Sequence, residues 1–549
     1  MDTLGFEGRG PSSGSPARAS AAGSDASESS SGFPGLYNRS TPLPTLAEVI
    51  ERIGMGPAQL KAGIAGGGVW LADGSELLLI SSVTNSLAFD WQLSGFERGF
   101  VVTAVYMGIL MGNLFSGPFA DALGRRCLIL LSYVGLFVMS MVSSCSFGFL
   151  SLVCTRLCVG VSIGLGQPSW NALGTELTPS SWRLVTNACG QLLFPLGEIY
   201  SALLLLADDP NLASLDWRSL LRYGAIPSAV LLCLSHCWLP ESPSYLALKH
   251  RDYEAEAVLH HMARTNNRYV ESVSFAPSLG RPQNSESLWT AIPKQVNIVF
   301  SSHLLGTTGI IVHSCFMLNF AYFGSLFAFP QVLPGVLHSS SAASELLVGA
   351  LWELPGFCLG IFVGIQVARK VAIKTYLLLS SVAFFMFASA VTSGHHNYAA
   401  EVALRLGYYG IKCFVNIGFV VVYQYSVEVY PTEARTTGTA VNLAGGRLAA
   451  MLSPLVFEGI MEVGKGPAAY FWLIAAGLAL NFFLIDFLPY ETADSALHDS
   501  LQDLGREEED CSFRSNLDLE KASSSSSSCR SSIASVGRYG ATDLQTGSA

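Results

Sequence analysis

The segment ELTPSSWR (residues 176–183) recurs later in the chain as EVYPTEAR (428–435), and both have the form E-x-x-P-x-x-x-R. Each segment follows a long apolar run. A weaker echo relates ALGRR (122–126) to QVARK (366–370). Internal matches of this kind predict that the chain consists of two structurally related halves.

The composition excludes an ordinary soluble enzyme. Half of the 549 residues are hydrophobic and 13% are charged, with a mean hydropathy of +0.41. These values predict an integral membrane protein. The net charge of −10 does not indicate a cationic partner, because much of it lies around EEED (507–510). Most of the twelve cysteines lie in apolar runs, where a free cysteine behaves as a small hydrophobe, so no disulfide framework is predicted.

Twelve runs are long enough to cross a membrane as helices of about 20 residues. They indicate an all-α membrane protein whose twelve transmembrane helices form two pseudo-symmetric six-helix bundles. The runs lie at 62–84, 98–118, 127–145, 147–169, 184–207 and 219–239, and at 307–330, 344–366, 375–393, 400–424, 437–461 and 468–488. The predicted domains are a disordered N-terminal tail (1–44), an N-terminal bundle (45–246), a central loop (247–295), a C-terminal bundle (296–494) and a disordered acidic and Ser-rich tail (495–549).

Lysine and arginine are concentrated in the loops on one side of these runs, including the central loop, while the loops on the other side hold almost none. Because short cytoplasmic loops carry the positive excess, we expect this side, the central loop and both termini to face the cytoplasm. The membrane is expected to be the plasma membrane or that of an intracellular vesicle.

The short loop GPFADALGRR (117–126) combines glycines for a tight turn with an acid and two arginines. It resembles the G-x-x-x-D-x-x-G-R-R loop of the major facilitator superfamily. PESPSYL (240–246), YSVEVYPTEAR (425–435), LPYET (488–492) and the glycines that follow Arg156 are similar to segments of its sugar-porter-related and organic-ion branches. The resemblance covers most of the chain and implies the major facilitator fold.

Within the superfamily, TLAEVIERIGMGPAQLK (45–61), ELPG (353–356) and the form Y-x-x-E-x-Y-P-T-x-x-R look most like the synaptic vesicle 2-related group. That likeness implies transport of small organic ions or acids. Helix 7 reads CFMLNFAYFG (315–324) in place of a Q-Q-L-S-like segment, and no G-P-x-P-W precedes Glu428. Both departures disfavour a sugar as the substrate. The large luminal loop of the vesicle glycoproteins is also missing, so a vesicle-specific role is not supported.

The stretch VWLADGSELLLISS (69–82) contains two acids, Asp73 and Glu76, which lie three residues apart and so on one face of helix 1. An acid at the bilayer centre costs about 2.5 to 3.5 kcal/mol, so these positions indicate a polar interior. Arg156, near the middle of helix 4, is the expected partner. One interpretation is a static buried ion pair. The other, which we favour because one arginine leaves one acid unpaired, is a proton site with Asp73 as first choice.

The second half has its own intramembrane charges, Glu353, Lys412 and Arg447. An organic anion on Lys412 or Arg447 and an organic cation on the acids are both compatible with them, and the sequence leaves the choice open. The resemblance implies that Gln191 of helix 5 belongs to the same cavity. Packing is the favoured role for the remaining polar candidates, which are Tyr322, Tyr408, Tyr409, Tyr423 and His313.

Seven charged residues near the cytoplasmic ends of the helices are predicted to form a gate. They would pair between the halves when the cavity opens outward and separate when it opens inward. A simple topology signal would explain the arginines but not the acids at 176 and 428. The predicted gate consists of Asp121, Arg125, Arg126, Glu176, Arg183, Glu428 and Arg435.

These observations predict a secondary active transporter of a small organic ion or metabolite that works by alternating access, with H+ as the expected coupling ion. The alternatives are a facilitative sugar-type transporter and a non-transporting membrane receptor or regulator with the same fold. No nucleotide loop, metal-ligand cluster or nucleophile–base set was found, so we expect neither an enzyme nor a cofactor. The expected partners are a small-molecule substrate, H+ and the lipid bilayer, without nucleic acid, and the expected state is a monomer.

Overall fold

Long apolar runs produce a protein in which helices account for nearly all regular structure of the described chain. The computed structural model describes residues 43–269, 273–276, 288–337, 340–393, 398–431 and 434–488. The predicted C-terminal tail, and residues 1–42 of the predicted N-terminal tail, lie outside these ranges. The helices belong to one compact unit that begins at Pro44.

The first half begins with a short amphipathic helix, capped by Thr45 and Glu48, and continues as long helices. Its helices are α1 (Leu46–Ile53), α2 (Pro57–Trp91), α3 (Gly95–Leu123), α4 (Arg125–Ser144), α5 (Phe149–Leu177), α6 (Arg183–Gln191), α7 (Leu193–Asp208), α8 (Trp217–Gly224) and α9 (Ile226–Trp238). The middle of the chain holds α10 (Pro243–Leu248), α11 (Asp252–Thr265) and α12 (Leu288–Val299). The second half contains α13 (Leu305–Val336), α14 (Ala342–Gln366), α15 (Arg369–Ser393), α16 (Tyr398–Glu428), α17 (Arg435–Glu462) and α18 (Pro467–Leu484).

Eleven segments of the described chain are long and apolar enough to cross a membrane. In this set α6 with α7, and α8 with α9, each count as one segment. The twelfth helix is α2, which has 35 residues and is long enough at about 1.5 Å per residue. Two of its acids, Asp73 and Glu76, lower the hydropathy of its central part, yet both are buried where α2 packs against α5, α7 and α13.

Several observed boundaries differ from the predicted ones. The predicted helix 184–207 is divided at Leu192 into α6 and α7. The predicted helix 219–239 is divided at Ala225, just before a proline that cannot donate a backbone hydrogen bond. The predicted central loop is not purely a loop, because α11 and part of α12 lie within it.

Glycines bring α3 and α5 into backbone contact. A Cβ added to Gly160 would lie 2.0 Å from the Val105 carbonyl oxygen, and one added to Gly108 would lie 2.1 Å from the Leu157 carbonyl oxygen. Helices in a membrane associate through close packing of this kind, because lipid offers no hydrophobic driving force between them. The two helices therefore form a rigid wall of the first half.

The two halves meet mainly where α2 packs on α13, α3 on α17 and α7 on α14, and α6 also contacts α14. We call the end that carries the α3–α4, α14–α15 and α16–α17 turns the basic end of the bundle. The end that carries the α2–α3, α7–α8 and α13–α14 turns is called the opposite end. The candidate site lies between the halves, about midway along these helices.

Candidate functional site

A cavity lies between the two halves, and its empty space is about 430 Å³ when the part open to solvent is included. It is walled mainly by aromatic rings, with amide groups and one charged group among its described lining residues. The rings are Trp70, Phe194, Tyr322, Phe323, Phe357, Phe419 and Tyr423, and the polar groups are Gln191, Asn319, Asn416 and Arg447. Such a lining suits a flat organic molecule that carries a small polar or anionic group.

Arg447 is the charged residue of this lining and belongs to α17. Its Nη2 donates a hydrogen bond of 3.0 Å to Gln167 Oε1 on α5, and its guanidinium carbon lies 5.9 Å from the centre of the Phe323 ring. Gly446 precedes it, and a Cβ there would lie 2.5 Å from Asn319 Nδ2. The glycine therefore lets α17 approach α13 beside the cavity.

Asp73 lies behind the cavity and is joined to Arg447 through one amide. Gln167 Nε2 donates to Asp73 Oδ2 at 2.7 Å, so the order of contacts is Asp73, Gln167, Arg447. The side chain is buried, and its other oxygen, Oδ1, has no hydrogen-bond partner among the described residues. Gln167 is not among the site residues predicted from the sequence, although a glutamine in the middle of an apolar helix is a detectable signal.

Arg156 is paired with Glu76 and not with Asp73. Arg156 Nη1 lies 2.7 Å from Glu76 Oε2, and the two side chains are 0% and 2% exposed. The hydroxyl of Ser140 on α4 also donates to Glu76. The ion pair thus connects α2, α4 and α5 within the first half and leaves Asp73 without a direct cation partner among the described residues.

A second charged cluster lies where α7 of the first half packs against α14 of the second. We call the interface between the two halves the seam, and this cluster crosses it. Lys412 Nζ on α16 lies 2.7 Å from Glu198 Oε2 on α7 and 2.5 Å from Glu353 Oε1 on α14. The Tyr322 hydroxyl lies 3.0 Å from Glu198 and 2.8 Å from Glu353. Glu198 belongs to the first half, and the sequence analysis missed it. The rule applied to Asp73, that an acid inside an apolar span indicates a polar interior, would have found it.

The predicted gate residues lie at the basic end, and each ion pair that the described residues form there joins residues of the same half. Arg125 contacts Asp121 at 3.2 Å and Glu176 at 3.5 Å. Glu428 is paired with Arg369 at 3.1 Å, a partner that the gate prediction did not include. Of the other members, Arg126 donates to the His236 carbonyl, Arg435 donates to the Tyr430 carbonyl, and Arg183 is exposed at the start of α6.

The opposite end holds direct polar contacts between the halves. Arg98 at the start of α3 forms an ion pair with Glu458 near the end of α17, with 2.7 Å between Arg98 Nε and Glu458 Oε1. Thr103 donates to the Met451 carbonyl at 2.9 Å. The sequence analysis missed the Arg98–Glu458 pair, because nothing in the sequence brings α3 next to α17.

The remaining candidates are divided between the cavity and the packed core. Tyr322 and Tyr423 line the cavity. Tyr409 donates to Glu345 near the start of α14, and Tyr408 packs on Phe329 with ring centres 4.6 Å apart. His313 is half-buried, and its Nε2 has no hydrogen-bond partner among the described residues.

The sequence profile of the family described as "Sugar (and other) transporter" matches residues 74–501. The chain belongs to this family. This transporter is 26% identical over 508 residues to organic cation/carnitine transporter 7 of Arabidopsis thaliana, covering 83% of this chain and 96% of that protein. It is 24% identical over 476 residues to the synaptic vesicle 2-related protein of Rattus norvegicus, covering 82% of each. The expected membership of the major facilitator superfamily and likeness to the synaptic vesicle 2-related group are confirmed.

Solved structures share the fold of this transporter. The inward-open xylose transporter XylE of E. coli matches with a TM-score of 0.63 at 19% identity, over 81% of this chain and 99% of that one. The partially occluded inward-open form of the same protein matches with a TM-score of 0.62 at 18% identity, over 80% and 99%. The predicted major facilitator fold is therefore confirmed, and the protein is a multi-pass membrane transporter of a small molecule and not an enzyme.

Proposed function

We propose that this transporter carries a small organic anion with a flat, apolar body and that it couples this movement to H+. The observation that supports the choice of an anion is the position of the charges relative to the cavity. Arg447 faces the cavity, whereas Asp73, Glu198 and Glu353 are not among its described lining residues. A carboxylate of the substrate would pair with the guanidinium, and the aromatic walls would enclose its apolar part.

The proton site is Asp73, as the sequence analysis predicted. In the absence of substrate, Arg447 and Asp73 are of opposite charge and share Gln167 as a common hydrogen-bond partner. When an anion neutralises Arg447, the buried carboxylate of Asp73 loses a compensating positive charge, so its neutral form is favoured. One anion and one proton therefore load together, which gives symport.

The contacts at the two ends of the interface between the halves support alternating access. The inter-half contacts Arg98–Glu458 and Thr103–Met451 close the opposite end, while the described gate pairs Arg125–Asp121 and Arg369–Glu428 each lie within one half. We assign this arrangement to the inward-facing state, with the basic end and both termini in the cytoplasm. In the outward-facing state the gate charges pair between the halves and the Arg98–Glu458 pair separates.

The orientation is tested by cysteine-accessibility labelling in intact cells. An impermeant thiol reagent should fail to reach cysteines introduced in the 247–295 segment or in either tail. External labelling at any of these places would overturn the twelve-span topology with cytoplasmic termini.

The substrate is tested by uptake into proteoliposomes with and without an inward proton gradient. The panel pairs aromatic monocarboxylates with their neutral amides, and adds aromatic amines and a hexose. We expect gradient-driven uptake of carboxylates, and a loss of about 10- to 100-fold in the Arg447→Gln variant, the range expected for a charge-assisted hydrogen bond of about 1.5 to 3 kcal/mol.

The matched control is Lys465→Gln, which removes an exposed positive charge in the α17–α18 turn and should transport normally. Uptake of amines that Arg447→Gln does not weaken would contradict the anion assignment. Hexose uptake that does not depend on the gradient would favour the facilitative sugar-type alternative, and binding without uptake would favour the receptor alternative.

A further inference from the structure

We propose that Glu198 and Glu353 form a second proton-binding site, which takes up one proton, and that binding of this proton to Glu198 releases an ion pair that ties the two halves of the transporter together. Its use in transport rests on the proposed proton coupling. The release of the ion pair between the halves does not rest on that coupling, because it is a property of the protein without substrate.

The three charges of this cluster come from both halves of the transporter. Glu198 belongs to the first half, whereas Glu353 and Lys412 belong to the second. Lys412 is therefore bonded to one acid across the seam and to one acid within its own half. The side chains of Glu198, Glu353 and Lys412 are 1%, 0% and 5% exposed. Among the described contacts, the Lys412–Glu198 bond is an ion pair that joins the halves in the middle of the bundle.

The charges of Glu198, Glu353 and Lys412 do not cancel when all three groups are ionised. Two ionised carboxylates and one ammonium leave an excess negative charge in a place closed to water, which is costly in a membrane. Carboxylates that share one site relieve this repulsion by binding a proton. The described ionisable groups beside the two acids are Tyr322 on α13, Tyr106 on α3, Tyr408 and Cys413 on α16, and Asp73 on α2, none of which is a cation. The Arg447 guanidinium, which also acts on Tyr106 and Asp73, is bonded to Gln167 at the cavity.

Protonation of Glu198 removes the ion pair that crosses the seam. With both acids ionised, Lys412 holds Glu198 and the halves are tied. A proton on Glu198 neutralises that carboxylate, so Lys412 remains paired with Glu353 inside the second half. The ion pair across the seam is then lost, so α7 is held to the second half more weakly, through contacts such as the Tyr322–Glu198 and Ala343–Pro210 hydrogen bonds. A proton on Glu353 leaves the tie intact, so the two acids have different roles although they share one lysine.

The test measures how accessible the seam is, in nanodiscs and without substrate. The reporter is Ala343→Cys on α14, a fully buried position whose backbone N–H donates to the Pro210 carbonyl across the seam. Labelling by a water-soluble thiol reagent is quantified by peptide mass spectrometry. The exposed native Cys145 at the same end provides the internal reference, so the intrinsic pH dependence of the reagent cancels.

We expect reporter labelling to rise several-fold as the pH falls from neutral to acid. Glu198→Gln should give high labelling at every pH, because the tie is absent. Glu353→Gln should give low labelling at every pH, because one lysine and one carboxylate remain paired across the seam. A merely structural role would make the two variants alike. Thermal unfolding of each variant identifies any that is misfolded, and the pH profile of the otherwise unchanged protein remains a test in that case.

Two results would overturn the proposal. One is reporter labelling that does not change with pH in the protein with both acids intact. The other is a pH response that Asp73→Asn abolishes while Glu198→Gln preserves it, which would place the proton at Asp73 alone. If the labelling pattern is found but no proton-driven uptake of any anion is detected, the proposed proton coupling is wrong. The proposed release of the Lys412–Glu198 ion pair by a proton is still supported in that case.

Discussion

Glu76 and Arg156 form a fully buried ion pair, with 2.7 Å between the carboxylate and the guanidinium, and this pairing leaves Asp73 on the same face of α2 without a direct cation partner among the described residues. Two acids that look equivalent in the sequence therefore have different surroundings. Glu76 is neutralised within the first half. Asp73 is bonded to the amide of Gln167, which is bonded in turn to Arg447 at the cavity.

The Glu76–Arg156 pair is expected to be structural. Replacing Arg156 with Met leaves a buried carboxylate without its partner, so we expect a loss of about 3 to 5 kcal/mol of stability. The double variant Glu76→Gln with Arg156→Met should recover most of it. Thermal unfolding in one lipid environment measures both. The control is Arg251→Met, which breaks a half-exposed pair with Glu254 and should cost little. An Arg156 variant as stable as this control would contradict the assignment.

The contact between α3 and α5 is expected to tolerate no side chain at Gly160. The added methyl group of Gly160→Ala would meet the Val105 carbonyl at 2.0 Å, and overpacking of this kind costs about 1 to 3 kcal/mol. Gly63→Ala on α2, which would meet nothing within 4 Å, is the matched control and should be neutral or slightly stabilising. Equal thermal stability of the two variants would show that the helices separate freely.

The Arg98–Glu458 pair is expected to hold the opposite end closed. Glu458→Gln weakens it, so the population should shift towards the outward-facing state. The reporter is Thr103→Cys, whose position contacts Met451 across the seam, and its labelling should increase several-fold. Asp486→Asn breaks an exposed pair with Lys374, within the second half, and should change nothing. A Glu458 variant that labels like this control would mean that the pair does not hold the seam.

Substitutions in the predicted gate should shift the population in the opposite direction, towards the inward-facing state. Glu176→Gln or Glu428→Gln weakens pairing at the basic end in the outward-facing state, so both variants should remain folded and shift towards the inward-facing state. Cysteines at cavity positions should then label more readily from the basic end, while labelling of the Thr103→Cys reporter should decrease. If neither variant changes either measurement, these acids mark topology only.

The fold was predictable because it depends on local composition. Apolar runs of sufficient length predict membrane helices, and the repeated motif at 176–183 and 428–435 indicates the two halves. The helix that local composition describes least well is α2, since the buried acids Asp73 and Glu76 reduce its hydropathy. Breaks within spans, as at Leu192, depend on prolines and on neighbouring helices, and the sequence analysis did not anticipate them.

The site was predictable in its residue types but not in its pairings. Asp73, Arg447 and Lys412 were identified because a charge in an apolar span is costly. Their partners Gln167 and Glu198 come from helices that are distant in sequence, and only the packing of the bundle brings them together. For the same reason the sequence did not decide between an anion on Arg447 and a cation on the acids.

The central claim, that Asp73 carries the coupling proton, is tested most directly by Asp73→Asn in proteoliposomes. The amide keeps the size and a hydrogen-bonding oxygen of the carboxylate but cannot titrate. The matched control is Asp90→Asn on the same helix, which accepts a hydrogen bond from Trp217 and has no assigned role in coupling. For an anion that the native protein accumulates, we predict that Asp73→Asn still exchanges it between two loaded sides and no longer accumulates it when driven by a proton gradient. Gradient-driven accumulation by Asp73→Asn with an unchanged pH dependence would contradict the claim.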